Sequence, residues 1–197
     1  MKKVFKGIII LAIIAIILFV TNYIRNNIII NEIFEVQNNM NLGSNYYIKT
    51  SVDSQMENSY SELYVKDDIY VEKSYINNKL EKIDWYNKIT EEIKRLEEDE
   101  NGELKTVEVE KIDGPESFIE ILLPFKEISL KNEVKKLNLF KVIKEIDGCY
   151  EMKIANNEYV LINKDSKVAV KFLKNEQYEI KVLLEINTVT EDDIKID

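Results

Sequence analysis

The chain has no histidine among its 197 residues, and it has only one cysteine, two prolines and five glycines. Without histidine there is no Ser-His-Asp or Cys-His catalytic arrangement and none of the usual zinc sites. One cysteine excludes an internal disulfide, and five scattered glycines exclude a glycine-rich phosphate loop. We therefore expect a protein that binds rather than catalyses, and we predict no catalytic, cofactor-binding or metal-binding residues. Its ligand-binding residues are left open.

The distribution of charge excludes nucleic acid as a partner. The whole chain carries a net charge of −9, and residues 1–26 hold four basic and no acidic residues. The remainder therefore has 23 basic and 36 acidic residues, a net charge of −13. Such a domain is repelled by phosphates and by anionic lipid headgroups. Any contact of this domain with lipid is expected through an apolar pocket rather than through a basic patch.

Isoleucine is abundant, with 30 residues, and it dominates an uncharged run near the N-terminus. This run is Gly7–Ile24, GIIILAIIAIILFVTNYI, and at about 1.5 Å per residue its helix is roughly 27 Å long, close to the hydrocarbon thickness of a bilayer. Lys2, Lys3 and Lys6 precede it. The positive-inside rule then predicts that residues 1–26 form a cytoplasmic tail and a single-pass signal-anchor helix, and that residues 27–197 form an extracytoplasmic domain in the cell envelope.

A cleaved signal peptide is the alternative interpretation of the same run, because it has the same layout of charge followed by apolar residues. Cleavage needs small residues at the end of the run, where this chain has Leu18-Phe19-Val20-Thr21-Asn22-Tyr23. An uncleaved anchor is therefore favoured.

The helix of the anchor is predicted to continue from Asn26 to Asn41. In this segment Ile29, Ile33, Val36 and Met40 recur at helical spacing and form one apolar stripe. We expect this stripe to lie on the domain that follows, so that the anchor and the first helix of the domain are one rod.

From Asn45 onwards the apolar period changes to two, which is typical of strands. Polar breaks of hairpin length separate the runs, among them Lys66-Asp67-Asp68, Asn77-Asn78, Asp147-Gly148 and Asn175-Glu176. Residues 91–98 also suit a helix, but a strand is favoured there because the surrounding segments are strands. The predicted strands are 45–53, 60–66, 69–76, 80–87, 91–98, 104–110, 139–146, 149–155, 158–163, 167–173 and 177–186.

Two apolar helices, 117–125 and 130–137, are predicted between the two sets of strands, where Gly114-Pro115 interrupts the meander. Eleven sequential antiparallel strands form a sheet that must curl. The predicted fold is therefore mainly β (α+β), a curved antiparallel sheet or half-barrel with the helices on its concave side.

The aromatic residues are the remaining candidates for a site. Eleven tyrosines and Trp85 lie mostly in predicted strands, and core or cross-strand packing is the simplest explanation for them. The sharper hypothesis is a concave pocket lined by tyrosines and Trp85, with the helix 117–125 as its plug.

Five other features of the sequence have plain structural interpretations. Cys149 is expected to be a structural thiol, since no histidine is present to act as its base. The acidic groups at 97–100, 67–68 and 192–193 lack the spacing of a calcium loop and are expected to be solvated. Thr190 and Asp193 have the spacing of a capping box for a last short turn.

The order of an apolar N-terminal helix, a strand meander, a helical insert and a second meander resembles the LolA/LolB-like lipoprotein-carrier fold. The segments KIDWYNKITEEIKRL (82–96) and EYVLINKDSKVAVKFLKN (158–175) resemble an aromatic strand and a late hairpin of that family, although Val160, Asn163, Val168 and Ala169 depart from its pattern.

The ending EINTVTEDDIK (185–195) is similar to that of the GerS-related subgroup of clostridial germination lipoproteins. The resemblance implies a half-barrel without catalysis and, for the subgroup, a spore-cortex amidase as protein partner and a role in sporulation or germination. GerS is lipidated, and this chain lacks the required cysteine after its apolar run. Carriage or sensing of a lipid or a lipoprotein acyl chain in the concave pocket is the alternative function.

Overall fold

We describe the protein from a computed structural model, which covers residues 2–54, 58–112, 114–126, 128–174 and 178–196. Within them the chain forms three helices and eleven strands. The helices are α1 (Lys2–Asn39), α2 (Glu116–Leu122) and α3 (Ile128–Asn138). The strands are β1 (Asn45–Ser54), β2 (Asn58–Lys66), β3 (Ile69–Ile76), β4 (Lys79–Asn87), β5 (Glu92–Glu98), β6 (Leu104–Val107), β7 (Lys144–Ile146), β8 (Cys149–Ala155), β9 (Glu158–Asn163), β10 (Ala169–Lys174) and β11 (Tyr178–Ile186).

All eleven strands belong to one antiparallel sheet in the order β6-β5-β4-β3-β2-β1-β11-β10-β9-β8-β7. The first and last strands, β1 and β11, pair at the centre, and each half of the chain meanders outward from there. The fold class is confirmed, including the strand at 91–98 and the two inserted helices. Left-handed residues close the hairpins as the turn chemistry predicts, for example Asp147 and Gly148 with φ of 48° and 75°.

The structure differs from the predicted boundaries in several places. Helix α2 ends at Leu122 rather than at 125, and β10 begins at Ala169 rather than at 167. Residues 139–146 were expected to form one strand, but only Lys144–Ile146 pairs in the sheet, as β7. The carbonyl groups of Leu139, Lys141 and Ile143 instead accept hydrogen bonds from side chains of α1. Strand β6 ends at Val107 rather than at 110. The predicted break at Asn175-Glu176 lies outside the described residues.

Helix α1 is continuous through the apolar run and the first helix of the domain, as predicted. Its segment Lys6–Asn39 is long and apolar enough to cross a membrane, and a signal sequence would have the same properties. Ile29 and Ile33 of the predicted stripe are buried, but Val36 and Met40 are only half-buried. The buried side runs instead through a set that includes two polar residues, namely Asn26, Ile30, Phe34 and Gln37.

The helices lie on one face of the sheet, which we call the inner face. Helix α1 crosses the strands there, because its successive turns contact successive strands. Arg25 pairs with Glu145 of β7 at 2.5 Å, and Gln37 bonds to the carbonyl of Lys167, two residues before β10. Between these points the helix packs on β8 and β9 through one cluster, whose members include Ile30, Ile33, Phe34, Met152, Val160 and Ile162.

Because α1 crosses the strands, each strand lies at its own distance from the apolar run, measured along the helix. We call this distance the height of the strand. Beyond the end of α1, Leu42 belongs to a second cluster with Tyr46 of β1 and Leu63 of β2. Strand β7 therefore lies beside the end of the apolar run, and β1 lies about 21 Å further along, the rise of 14 residues from Arg25 to Asn39. Strands β2 to β6 follow β1 in the sheet, on the side away from α1.

The opposite, outer face is covered over β3 and β4 by the C-terminal segment. Val189 and Ile194 pack with Val71 and Ile83 in a third cluster, and the indole nitrogen of Trp85 donates to the carbonyl of Ile194 at 3.0 Å. One half of the predicted capping box is present, since Asp193 accepts hydrogen bonds from both the amide and the hydroxyl of Thr190 at 2.7 Å.

Candidate binding cavity

A row of five side chains crosses the inner face of β1 to β5, beyond the part of the sheet that α1 covers. Consecutive members occupy paired positions on neighbouring strands, so they form one continuous floor: Tyr46, Val65, Tyr70, Tyr86 and Ile93. The rings of Tyr70 and Tyr86 lie 5.0 Å apart with a tilt of 45°. This floor is apolar, with three phenol hydroxyl groups as its polar atoms.

The floor belongs to a cavity of about 720 Å³. One wall is the chain between β6 and α2, where Ile112 is buried and Pro115 and Glu116 begin the helix. The mouth is formed by loops that follow α1, β2 and β4, through Gly43, Ser44, Asp67, Asp68 and Lys88. A volume of this size suits a small amphipathic ligand or a few side chains of a protein partner.

The electrostatics of the cavity keep two of its tyrosines, Tyr46 and Tyr70, neutral. Burial and then the charge of Glu116 raise the pKa of Tyr46, and the same two causes in the same order raise the pKa of Tyr70 to about 12. A neutral phenol donates a hydrogen bond and presents a ring, so the floor is suited to binding through packing and directed hydrogen bonds.

The hypothesis of a tyrosine-lined concave pocket therefore holds for three of the eleven tyrosines, Tyr46, Tyr70 and Tyr86, and is wrong for Trp85. Successive residues of a strand point to opposite faces, so Tyr86 on the inner face places Trp85 on the outer face. Helix α2 is also not a plug. Its Phe118 and Leu122 pack in the second cluster beside the cavity, and only its first turn reaches the cavity wall.

Of the other polar features of the sequence, the acidic pair Asp67 and Asp68 lies at the mouth of this cavity, and Cys149 and the acidic group at 97–100 are not among its lining residues. Cys149 is a buried free thiol whose pKa is raised, chiefly by burial. In the acidic group at 97–100, Asp99 caps the β5–β6 hairpin by accepting from the amides of Asn101 and Glu103 at 2.9 and 3.0 Å. Its pKa is lowered to about 2 by the ion pair with Lys105 and by these amides. Within the residues that the structure describes, no three histidine, cysteine or acidic residues are grouped to hold a metal ion.

A polar cluster that sequence reasoning missed lies on the outer face of β1 to β3. The carboxylate of Glu62 accepts from Lys49 at 2.9 Å, from the hydroxyl of Tyr64 at 3.0 Å and from that of Tyr47 at 3.1 Å. Tyr60 and Tyr75 stack beside it at 4.3 Å. The alternation in β1 and β2 could have indicated that these residues share a face, but the strand register that brings them together is a tertiary property.

This cluster shifts the pKa values of Glu62, Tyr47, Tyr64 and Tyr75. Burial alone would raise the pKa of the Glu62 carboxyl, but hydrogen bonds from Lys49, Tyr64 and Tyr47 outweigh it, and the pKa is lowered. Burial and then the Glu62 charge raise the pKa of Tyr75 to about 12, and those of Tyr47 and Tyr64 are raised as well.

Alkaline pH is therefore expected to destabilise the fold. Between pH 10 and 12 the unfolded chain loses tyrosine protons that the folded chain keeps, so the stability contributed by these neutral tyrosines is lost as the pH rises through this window. Glu62→Gln removes one cause of the shifts and should bring tyrosine ionisation to lower pH. Ultraviolet absorbance of tyrosinate in the folded protein measures this. Glu133 is exposed, and the variant Glu133→Gln is the control. Identical titration curves for both variants would refute the role given to Glu62.

No protein-family model matches the chain, and no match was found among curated proteins. The resemblance to the LolA/LolB-like carriers stays a prediction, carried by the sequence segments quoted above.

Proposed function

We propose that this protein is a non-enzymatic, membrane-anchored accessory protein of the cell envelope, which presents its cavity to a protein partner. One observation carries the proposal. The cavity lies over β1 to β5, whereas the apolar run of α1 meets the sheet at β7, with about 21 Å of helix between Arg25 and the end of α1. The mouth is therefore held away from the bilayer in which the anchor would lie.

The junction of α1 with the domain supports this reading, because it leaves no linker on which the domain could turn toward the membrane. Asn26 is fully buried and donates to the carbonyls of Asn138, Leu139 and Lys141, and Arg25 pairs with Glu145. A cavity held at this height suits a partner that stands in the envelope better than a lipid taken directly from the same bilayer. With three lysines before the run, the domain faces the extracytoplasmic side.

The resemblance suggests which partner to try first. If the chain acts like the GerS-related proteins, the partner is a cell-wall amidase of the spore cortex, and loss of the protein gives a defect in germination. The second candidate function, carriage or sensing of a lipid or lipoprotein acyl chain, is favoured by one feature, the continuous apolar floor of the cavity.

Blocking the mouth of the cavity tests the proposal. Asp68 is exposed at the mouth, and Asp68→Trp should weaken binding of the purified partner by about tenfold or more, while the same change at the exposed Asp165 turn should leave it unchanged. The partner is first identified by pull-down with the full chain from sporulating cells. Equal affinities of the two variants would refute the cavity as the binding site.

Lipids that co-purify with the full chain separate the two candidate functions. Mass spectrometry should find no acyl ligand in molar amount if the cavity serves a protein. An equimolar lipid that is present in Asp165→Trp and lost in Asp68→Trp would replace the first function with the second.

A further inference from the structure

The turn between α3 and β7, residues 139–143, carries two apolar side chains that the fold leaves uncovered. Phe140 is 60% exposed and Val142 is 72% exposed. The ring of Phe140 stacks on that of Phe19 in the apolar run of α1, with centroids 5.5 Å apart and planes 10° from parallel, and it also contacts Tyr23 at 5.6 Å. The turn therefore lies beside the anchor helix, at the level of Phe19.

The length of the anchor places this level in the bilayer. Suppose that the domain-side surface of the membrane crossed α1 before Phe19. The part of the apolar run inside the membrane would then be the 12 residues Gly7–Leu18, about 18 Å of helix. That is well short of the roughly 30 Å hydrocarbon core. The full run to Ile24 is already at the short end of what spans a membrane, so Phe19 must be within it, and Phe140 lies at the same depth.

Several backbone carbonyl groups of the turn are paired within the protein, as a segment at this depth in a membrane requires. Irregular backbone enters a membrane only where its polar groups are paired within the protein. Here the carbonyl of Lys141 accepts from Asn22 at 3.0 Å and from Asn26 at 2.5 Å, and the carbonyl of Leu139 accepts from Asn26 at 3.2 Å. The carbonyl of Ile143 accepts from Arg25 at 3.3 Å. The polar residues at the end of the anchor thus pair with the turn instead of facing lipid.

The charges around the turn also fit a lipid surface. In a domain of net charge −13, residues 131–144 carry one acidic and five basic side chains, namely Glu133 and Lys131, Lys135, Lys136, Lys141 and Lys144. Lysines beside apolar side chains can extend to headgroup phosphates while the apolar groups enter the acyl region. This patch is the local exception to the acidic surface that overall composition predicts.

We propose that Phe140 and Val142 insert into the headgroup and acyl boundary of the leaflet on the domain side, as a second membrane contact beside the anchor. The inference rests on the membrane anchoring in the proposed function, and it would fix the orientation of the sheet on the bilayer. It does not depend on what the cavity binds.

Depth-dependent quenching tests the contact in the full chain, reconstituted into vesicles of phosphatidylcholine and phosphatidylglycerol. With Cys149 replaced by alanine, an environment-sensitive fluorophore is attached at Phe140→Cys or Val142→Cys. Both labels should emit as in an apolar medium, should be quenched by nitroxide lipids labelled near the headgroup, and should be several-fold less accessible to aqueous iodide than a label at Ile89→Cys. Ile89 is the matched control, an apolar residue 75% exposed in the β4–β5 turn.

A label at Ile13→Cys, in the middle of the apolar run, separates failure of the turn from failure of the anchor. If the Ile13 label is quenched by lipid and the labels at 140 and 142 respond to iodide as the Ile89 label does, the turn stays in water and only this inference is wrong. If the 140 and 142 labels are shielded from iodide but not quenched by lipid, a protein surface covers them, which also overturns it. If the Ile13 label is not quenched by lipid, both the anchor and the inference fail.

Discussion

Replacing Gln37 by alanine is expected to lower the free energy of unfolding by about 4 kcal/mol. Gln37 is fully buried in α1, where its amide nitrogen donates to the carbonyl of Lys167 at 2.7 Å and its amide oxygen accepts from the amide of Phe125 at 2.8 Å. One side chain thus joins α1 to the α2–α3 connection and to the β9–β10 connection. Alanine leaves two buried backbone groups unpaired and opens a cavity. Urea unfolding of the full chain in detergent, followed by circular dichroism, measures the loss.

Two further variants separate the causes of that loss. Gln37→Leu keeps most of the volume and removes only the hydrogen bonds, so we expect it to cost about 3 kcal/mol. Asn39→Ala, an exposed change in the last turn of the same helix, should cost about 0.5 kcal/mol or less, since Asn39 donates to the carbonyl of Glu35 on the exposed surface of that helix. A leucine variant as stable as the native chain would mean that Phe125 and Lys167 find other partners, and that this account of Gln37 is wrong.

Replacing Asp84 by alanine is the second change with a large expected effect. It should lower the free energy of unfolding by about 3 kcal/mol. Asp84 is 1% exposed on β4 and accepts two hydrogen bonds from Arg95 of the paired strand β5, at 2.5 and 2.8 Å. Lys82 lies 3.2 Å from the same carboxylate. Removing Asp84 leaves a largely buried guanidinium without its main counter-charge, next to the Tyr86 and Ile93 positions of the cavity floor. The variant should therefore also weaken the binding of a ligand or partner in the cavity.

The controls for Asp84 use the same arginine. Glu97 is half-exposed and lies 3.7 Å from Arg95, so Glu97→Gln should change the free energy of unfolding by about 0.5 kcal/mol or less. The double variant Asp84→Ala with Arg95→Ala should regain part of the stability lost in Asp84→Ala, because no unpaired charge stays buried. Equal costs for Asp84→Ala and Glu97→Gln would show that the pair contributes no more than a surface ion pair.

The elements of this protein were predictable because local patterns specify them. Alternation from Asn45 onwards, turn dipeptides such as Asp147-Gly148 and the unbroken run Gly7–Ile24 predict strands, hairpins and the apolar helix without reference to distant residues. Residues 139–143 escaped this reasoning because their apolar alternation suits a strand. What decides their conformation is pairing with Asn22, Arg25 and Asn26, more than 110 positions earlier in the chain.

The cavity was predictable in kind but not in composition. Tyrosines on alternating positions suggested a lined pocket, yet the face on which each one lies depends on strand register. Register decided that Tyr70 and Tyr86 share a floor while Trp85 lies under the C-terminal segment. Two polar residues in α1, Asn26 and Gln37, are buried although polarity is the usual sign of exposure, because the tertiary structure supplies the backbone groups that they pair with.

By itself the sequence therefore determined an apolar N-terminal helix followed by a mainly β domain without the side chains of common catalytic sites. It did so because period, turn residues and composition act over a few residues at a time. Only the tertiary structure decided that α1 crosses the strands from β7 to β1. The reason is physical: the height of the cavity above the apolar run and the position of Phe140 beside Phe19 both depend on contacts between segments far apart in the chain, which no local pattern encodes.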